Sequence, residues 1–293
     1  MSSASPEVRL AGGRRGSTWR GRVFYALLLL SLAVGFLTLG TLIVDVFRKG
    51  IQYVDGVLLM NPPSSDPAIA GARPAILATL YLGVLIIAFT VPIGVGTAIY
   101  LEEYADKNRW YNRLLELNIQ NLAAVPSIVY GILGLAFLVR GLGLGRVVLA
   151  GALILTLLVL PTVIIAAREA IRAVPGSIRE GAYALGATQW QVVSRQVVPA
   201  ALPGIATGSI LALSRAIGET APLILIGALT YISFNPTLLG PFTALPVQIY
   251  NWTKLPNAEF KGLAAAAIII LLAMILLLNA GAIWLRNRYE KKW

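Results

Sequence analysis

An arginine and a glutamate, Arg215 and Glu219, stand four residues apart inside the otherwise apolar run 203–229. On a helix that spacing puts both side chains on one face, where they can neutralise each other. Counted from Pro203, Arg215 lies about 18 Å into the run at about 1.5 Å per residue. That is close to the midplane of a hydrocarbon core about 30 Å thick. A charge there costs at least about 2.5–3.5 kcal/mol, so it faces protein or water. The planar guanidinium fork suits an oxyanion such as phosphate. Two readings stay open: a structural pair that fixes helix packing, or a pathway charge with Glu219 as its partner.

Other chemistry is scarce. The 293 residues contain no Cys and no His. This excludes thiol nucleophiles, disulfides, iron–sulfur and zinc–thiolate sites, and every triad or metal site that needs imidazole. Glu102, Glu103 and Asp106 come nearest to a metal-ligating cluster, but beside Lys107 and Arg109 they read as a solvated face. A membrane-embedded enzyme acting on lipid or isoprenoid phosphates would have to rest its chemistry on Glu, Asp, Ser or Arg. The glycines of 141–145 lack the strand-and-helix context of a nucleotide fingerprint and read as a short loop. No G-x-x-x-x-G-K-[ST] phosphate loop is present either, so ATP hydrolysis would need another subunit. The chain is expected to bind no cofactor and no metal of its own.

The composition explains what must hold these residues. Apolar residues make up 57% and charged residues 13%, against about 45–50% and about 25% in soluble domains. A helix crosses a bilayer with roughly 20 apolar residues, and that length is met six times: 23–44, 75–100, 122–139, 147–167, 203–229 and 262–285. The third contains Pro126 and is expected to begin in a broken turn. Pro92, Gly94 and Gly96 in the second read as a kink and a close contact. The stretches 48–73 and 230–261 read as extramembrane loops. The first span resembles a signal peptide but is too long for one and reads as a retained anchor.

Charge sets the expected sidedness. Sixteen of the 24 Lys and Arg fall in the two tails and the loops near 101–120 and 168–202, seven in the alternate loops, and Arg215 is the last. The bias puts both termini in the cytoplasm and leaves no need for a nucleic-acid partner.

The loop 168–202 is more than a tether. Ser177 with Glu180 three residues later has the spacing of a capping box. Gly186 suits a left-handed helix end. Thr188 can start a second short helix, and Pro199 is expected to stop it. Two short helices with a glycine elbow would form a compact knob. An amphipathic segment lying in the headgroups is the alternative.

This loop resembles the "EAA" loop of ABC-importer permeases. Glu180, Ala182, Gly186 and Pro199 match, with Val198 in place of Leu. Gly181 and Gln196 depart from the pattern. Residues 124–131, Ala-Val-Pro-Ser-Ile-Val-Tyr-Gly, resemble a signature of phosphate-importer permeases, and 216–223 and 245–250 are similar to their PstA type. The resemblance covers about 75 to the C-terminus and implies an all-α integral membrane protein with six transmembrane helices and a type I, MetI-like permease core.

The implied organisation is a basic cytoplasmic tail (1–22), a first transmembrane helix (23–47) and an extracytoplasmic loop (48–73). A permease core follows (74–286), with its docking loop at 168–202, then a cytoplasmic tail (287–293). Glu180 and Gly186 would anchor coupling to an ATPase, with Ala182, Tyr183 and Ala184 at the contact. Arg215, Glu219, Ser127 and Tyr130 would line the substrate pathway, although the 126–131 turn could equally serve packing.

The implied partners are a PstC-like permease, two PstB-like ATPase subunits that hold ATP and Mg, and an extracytoplasmic PstS-like phosphate-binding protein. The implied location is a bacterial or archaeal cytoplasmic membrane. Sulfate or molybdate import is one alternative cargo. An ion-gradient-driven carrier using Glu219 as its proton site is the alternative mechanism.

Overall fold

The computed structural model describes residues 19–106, 108–228 and 232–289, and among these there is no β-strand. Of the expected tails, 1–18 and 290–293 lie outside them, while 19–22 and 287–289 belong to the first and last helices. The chain divides into two units at Asp45. The first is described from Trp19 as most of helix α1 (Trp19–Gly50). Its apolar side chains, Phe24, Leu28 and Phe36 among them, are exposed. Thr38 and Thr41 donate their hydroxyls to the Val34 and Thr38 carbonyls, which satisfies them within an apolar helix.

The second unit begins with the end of α1. The stretch expected as a loop carries a short 3-10 turn (Ile51–Tyr53) and helix α2 (Gly56–Met60). Asp55 caps α2 by accepting from the Leu58 N–H at 2.8 Å. Helix α3 (Arg73–Ile99) has Pro74 in its first turn, where a missing N–H costs nothing. It runs on through a π-helical turn, Tyr100–Tyr104.

The expected third span is not one straight helix. Helix α4 (Trp110–Ala123) and helix α5 (Ser127–Gly134), which continues as a π-helical stretch to Gly141, meet at 104°. Pro126 causes the break, because it has no N–H to donate and biases Val125 away from helical geometry. Counting this bent pair as one span gives up to six helices long and apolar enough to cross a membrane.

Helix α6 (Val148–Arg172) is the centre of the unit. Ile154, Leu155, Leu158, Val159 and Val163 are buried on several sides of it, as a helix apolar all round requires. It packs against α3 and against the long helix that follows the knob.

That knob contains α7 (Gly176–Ala184) and α8 (Gln189–Val192). Contrary to expectation, Pro199 does not end the second helix. Helix α8 passes through a π-helical turn, Val193–Val197, directly into α9 (Val198–Gly218). The turn shifts the hydrogen-bond register just before the proline, whose nitrogen has no proton to give. Small residues let α9 approach α6: a Cβ on Gly204 would stand 2.7 Å from the Ala170 Cβ, and one on Gly208 would overlap Ala166.

Helix α9 also ends early, at Gly218 rather than 229. Glu219 is extended (φ −72°, ψ 125°), and a short helix α10 (Ala221–Leu225) follows with Pro222 in its first turn. The expected second loop contains α11 (Leu245–Lys254) and the start of α12 (Ala258–Tyr289). The hydroxyl of Thr79 on α3 accepts from the Leu245 N–H at 2.9 Å and fixes the start of α11.

Candidate functional site

The knob is built from two local signals. Gly186 sits at φ +82°. The Gly186 N–H bonds to the Tyr183 carbonyl and the Ala187 N–H to the Ala182 carbonyl, which is a Schellman ending. Thr188 and Gln191 form a reciprocal capping box. The expected Ser177–Glu180 box is absent: α7 starts at Gly176 after Pro175, with no side-chain cap. Proline has a preset φ and needs no N–H partner, so the helix begins ahead of Ser177. Glu180, Tyr183 and Ala184 are exposed, and Ala182 is half-buried. Leu185 is 91% exposed and Trp190 68%, and Leu185 helps Ala182 and Gly186 to line a cavity of about 480 Å³. Exposed apolar groups around a concave surface suit a protein partner.

The acidic cluster expected as a solvated face is nothing of the kind at two of its three members. The Glu102 and Glu103 side chains are 4% and 9% exposed. Glu102 receives Arg168 at 2.8 Å and Arg172 at 2.7 Å, and Arg168 reaches Glu116 of α4 at 2.7 Å. Glu103 receives Arg179 of α7 at 2.7 Å. Only Asp106 is exposed, paired with Arg109 at 3.4 Å. Buried charges need such partners, because unpaired ones are too costly to desolvate. The sequence signal for this network is the apolar flank of Leu101 together with Arg168, Arg172 and Arg179 at helix ends expected on the same side. Arg168→Ala removes the centre of the network and is expected to cost about 3–5 kcal/mol, measurable as a lower Tm of the detergent-solubilised protein.

Arg215 and Glu219 meet, but with a looser geometry than a continuous helix gives. Arg215 Nε lies 3.4 Å from Glu219 Oε1, and the side chains are 53% and 18% exposed. Arg215 is in the last turn of α9, where a cation complements the helix dipole. The neighbouring Ser214 hydroxyl is 2.7 Å from Asn279 Oδ1 on α12, a polar link between helices.

Tyr130 is buried, and its hydroxyl donates to the Leu122 carbonyl at 2.8 Å. It thus closes the bent joint between α4 and α5. Ser127 is half-buried at the start of α5. The two signature segments pack on each other. A Cβ on Gly131 would stand 2.8 Å from the Pro222 Cα and 2.9 Å from the Leu225 Cδ1. Ser127 and Tyr130 therefore stand on the helix that packs on α10, and Arg215 and Glu219 lie just ahead of α10 in the chain, while the knob lies at the opposite end of the α8–α9 helix. Gly131→Ala should force α5 and α10 apart at a cost of about 1–3 kcal/mol, seen as a lower Tm and slower transport.

Residues 90–291 match the family described as "Binding-protein-dependent transport system inner membrane component". The chain belongs to this family. The permease is 34% identical over 276 residues to the phosphate transport system permease protein PstA of Yersinia pestis, covering 91% of this chain and 90% of that protein. It is 30% identical over 262 residues to the probable ABC transporter permease protein YqgI of Bacillus subtilis, covering 84% and 88%. Its fold is that of a chain in the crystal structure of a bacterial alginate ABC transporter in complex with its pentasaccharide-bound periplasmic protein. There the TM-score is 0.66 at 21% identity, with 93% and 96% covered. An ABC-importer permease core on an all-helical, multi-pass membrane chain is thus established.

Proposed function

We propose that this permease forms the PstA-type half of an ATP-driven importer of inorganic phosphate. The observation that carries this is Arg215, a half-exposed guanidinium paired with Glu219 just ahead of α10, in a chain that matches a phosphate permease over 91% of its length. Its fork offers charge-assisted donors to a phosphate oxygen, and Glu219 holds it in place between transport events. The other half of the path belongs to a PstC-like permease, and a PstS-like binding protein delivers the anion from outside. Of two PstB-like ATPases, which hold ATP and Mg, one docks on this knob through Glu180, Ala182, Tyr183, Ala184 and Gly186. Both termini lie in the cytoplasm, and the membrane is the cytoplasmic membrane of a bacterium or archaeon.

The test is uptake of radiolabelled phosphate by vesicles holding the assembled transporter. Uptake should stop when the ATPase is disabled, should survive an uncoupler, and should resist excess sulfate and molybdate. Collapse with the uncoupler alone would favour a gradient-driven carrier. Competition by sulfate or molybdate would change the cargo.

A further inference from the structure

Glu103 occupies an unusual position, at the π-helical end of α3, and it holds both halves of the knob. Arg179 of α7 donates to its carboxylate through Nε (3.2 Å) and Nη2 (2.7 Å). Gln189, the first residue of α8, donates from Nε2 to the Glu103 backbone carbonyl. Arg179 is also bonded to the end of α6, donating to the Val174 carbonyl at 2.7 Å and the Ile171 carbonyl at 3.0 Å. One guanidinium thus ties three elements, and one glutamate receives two. The carboxylate is 9% exposed and Arg179 is 22% exposed, so solvent screens the pair little. The π turn itself, with the Ala105 N–H on the Tyr100 carbonyl at 2.8 Å, is the kind of local irregularity that marks working sites in helices.

We propose that Glu103 is a positioning residue for energy coupling: clamped by Arg179 and Gln189, it obliges α3 to follow the knob. Without the clamp, the knob would still meet α3 through the apolar cluster around Ala98 and Val192, whose non-directional contacts can slide. With it, a displacement of either knob helix reaches α3, which packs on both α6 and α9. The proposal rests on the reading of the knob as the ATPase dock.

The test uses the reconstituted transporter with all subunits and reads phosphate moved per ATP hydrolysed. Glu103→Gln is expected to leave the ATPases bound and hydrolysing while that yield falls about tenfold. A second variant pairs Glu103→Cys with Arg179→Cys, in a chain that has no other Cys. Its yield should be low with the thiols reduced and recover when a short bifunctional thiol reagent bridges them. A role in folding alone would leave the yield indifferent to the bridge, and that result overturns the proposal. Unchanged yield in both variants overturns it too. If Glu103→Gln fails to assemble, Gln189→Ala removes only the carbonyl contact and should lower the yield about threefold; no change there sinks the clamp. Leu185→Asp separates this from the docking reading. Release of the ATPases by Leu185→Asp, with normal yield in the clamp variants, discards the clamp alone. Retention of the ATPases discards the dock and the clamp together.

Discussion

Leu185→Asp should reduce ATP-driven uptake to background while the permease remains folded in the membrane. Leu185 is 91% exposed on the elbow between α7 and α8, so no internal packing is lost when it changes. Its removal acts on whatever covers it in the assembly. Burying a carboxylate against an apolar partner groove costs several kcal/mol unless it finds a cation. A standard interface cannot absorb such a loss at its centre, where truncating one anchor alone costs about 2 kcal/mol or more. Trp190→Ala, on the adjacent helix, should weaken binding in the same sense but less completely. The measurement is the ratio of ATPase to permease that co-purifies, followed by uptake. Wild-type ratios with Leu185→Asp would remove the knob from the docking role.

Arg215 carries the second large effect. Its contact with Glu219 is 3.4 Å long and more than half exposed on the arginine side. On the pathway reading the arginine faces water, where such a pair contributes only about 0–1 kcal/mol to stability. Loss of Arg215 should therefore leave Tm nearly unchanged, whereas a structural pair would lower it. Transport should respond strongly. A charge-assisted hydrogen bond contributes about 1.5–3 kcal/mol, so Arg215→Lys, which keeps the charge but loses the fork, should slow phosphate uptake about 10-fold to 100-fold. Arg215→Ala should slow it further. Initial uptake rates at saturating binding protein decide the matter, and wild-type transport by Arg215→Lys would return the pair to a packing role.

Much of this is legible in residue order because the signals are local. Gly186 and Thr188 act on their own neighbours, and the knob's elbow forms where they stand. The apolar runs locate the bundle helices because a length requirement needs no knowledge of partners. Local rules fail where they meet a longer continuity. Pro199 has the look of a stop, but the π turn ahead of it removes the conflict. The run 203–229 has the look of one helix because its residues are mostly apolar, while Gly218 and Pro222 divide it. The acid cluster misleads for a different reason. Glu102 and Glu103 are separated from Arg168, Arg172 and Arg179 by sixty to eighty residues of chain, and no periodicity announces a pairing at that range. Tyr130 stands out for its signature, yet its hydroxyl serves the backbone eight residues earlier.

The uninterrupted course of α8 into α9 has a mechanical consequence. From Gln189 to Gly218 the chain makes one 30-residue rod, about 45 Å long at about 1.5 Å per residue. A rod of that length is a lever with a high ratio. A tilt of about 5° at the knob sweeps the far end through about 4 Å, more than the span of a hydrogen bond. Arg215 sits three residues from that far end. A small rotation at the knob therefore displaces the Arg215 guanidinium by more than the reach of a single hydrogen bond.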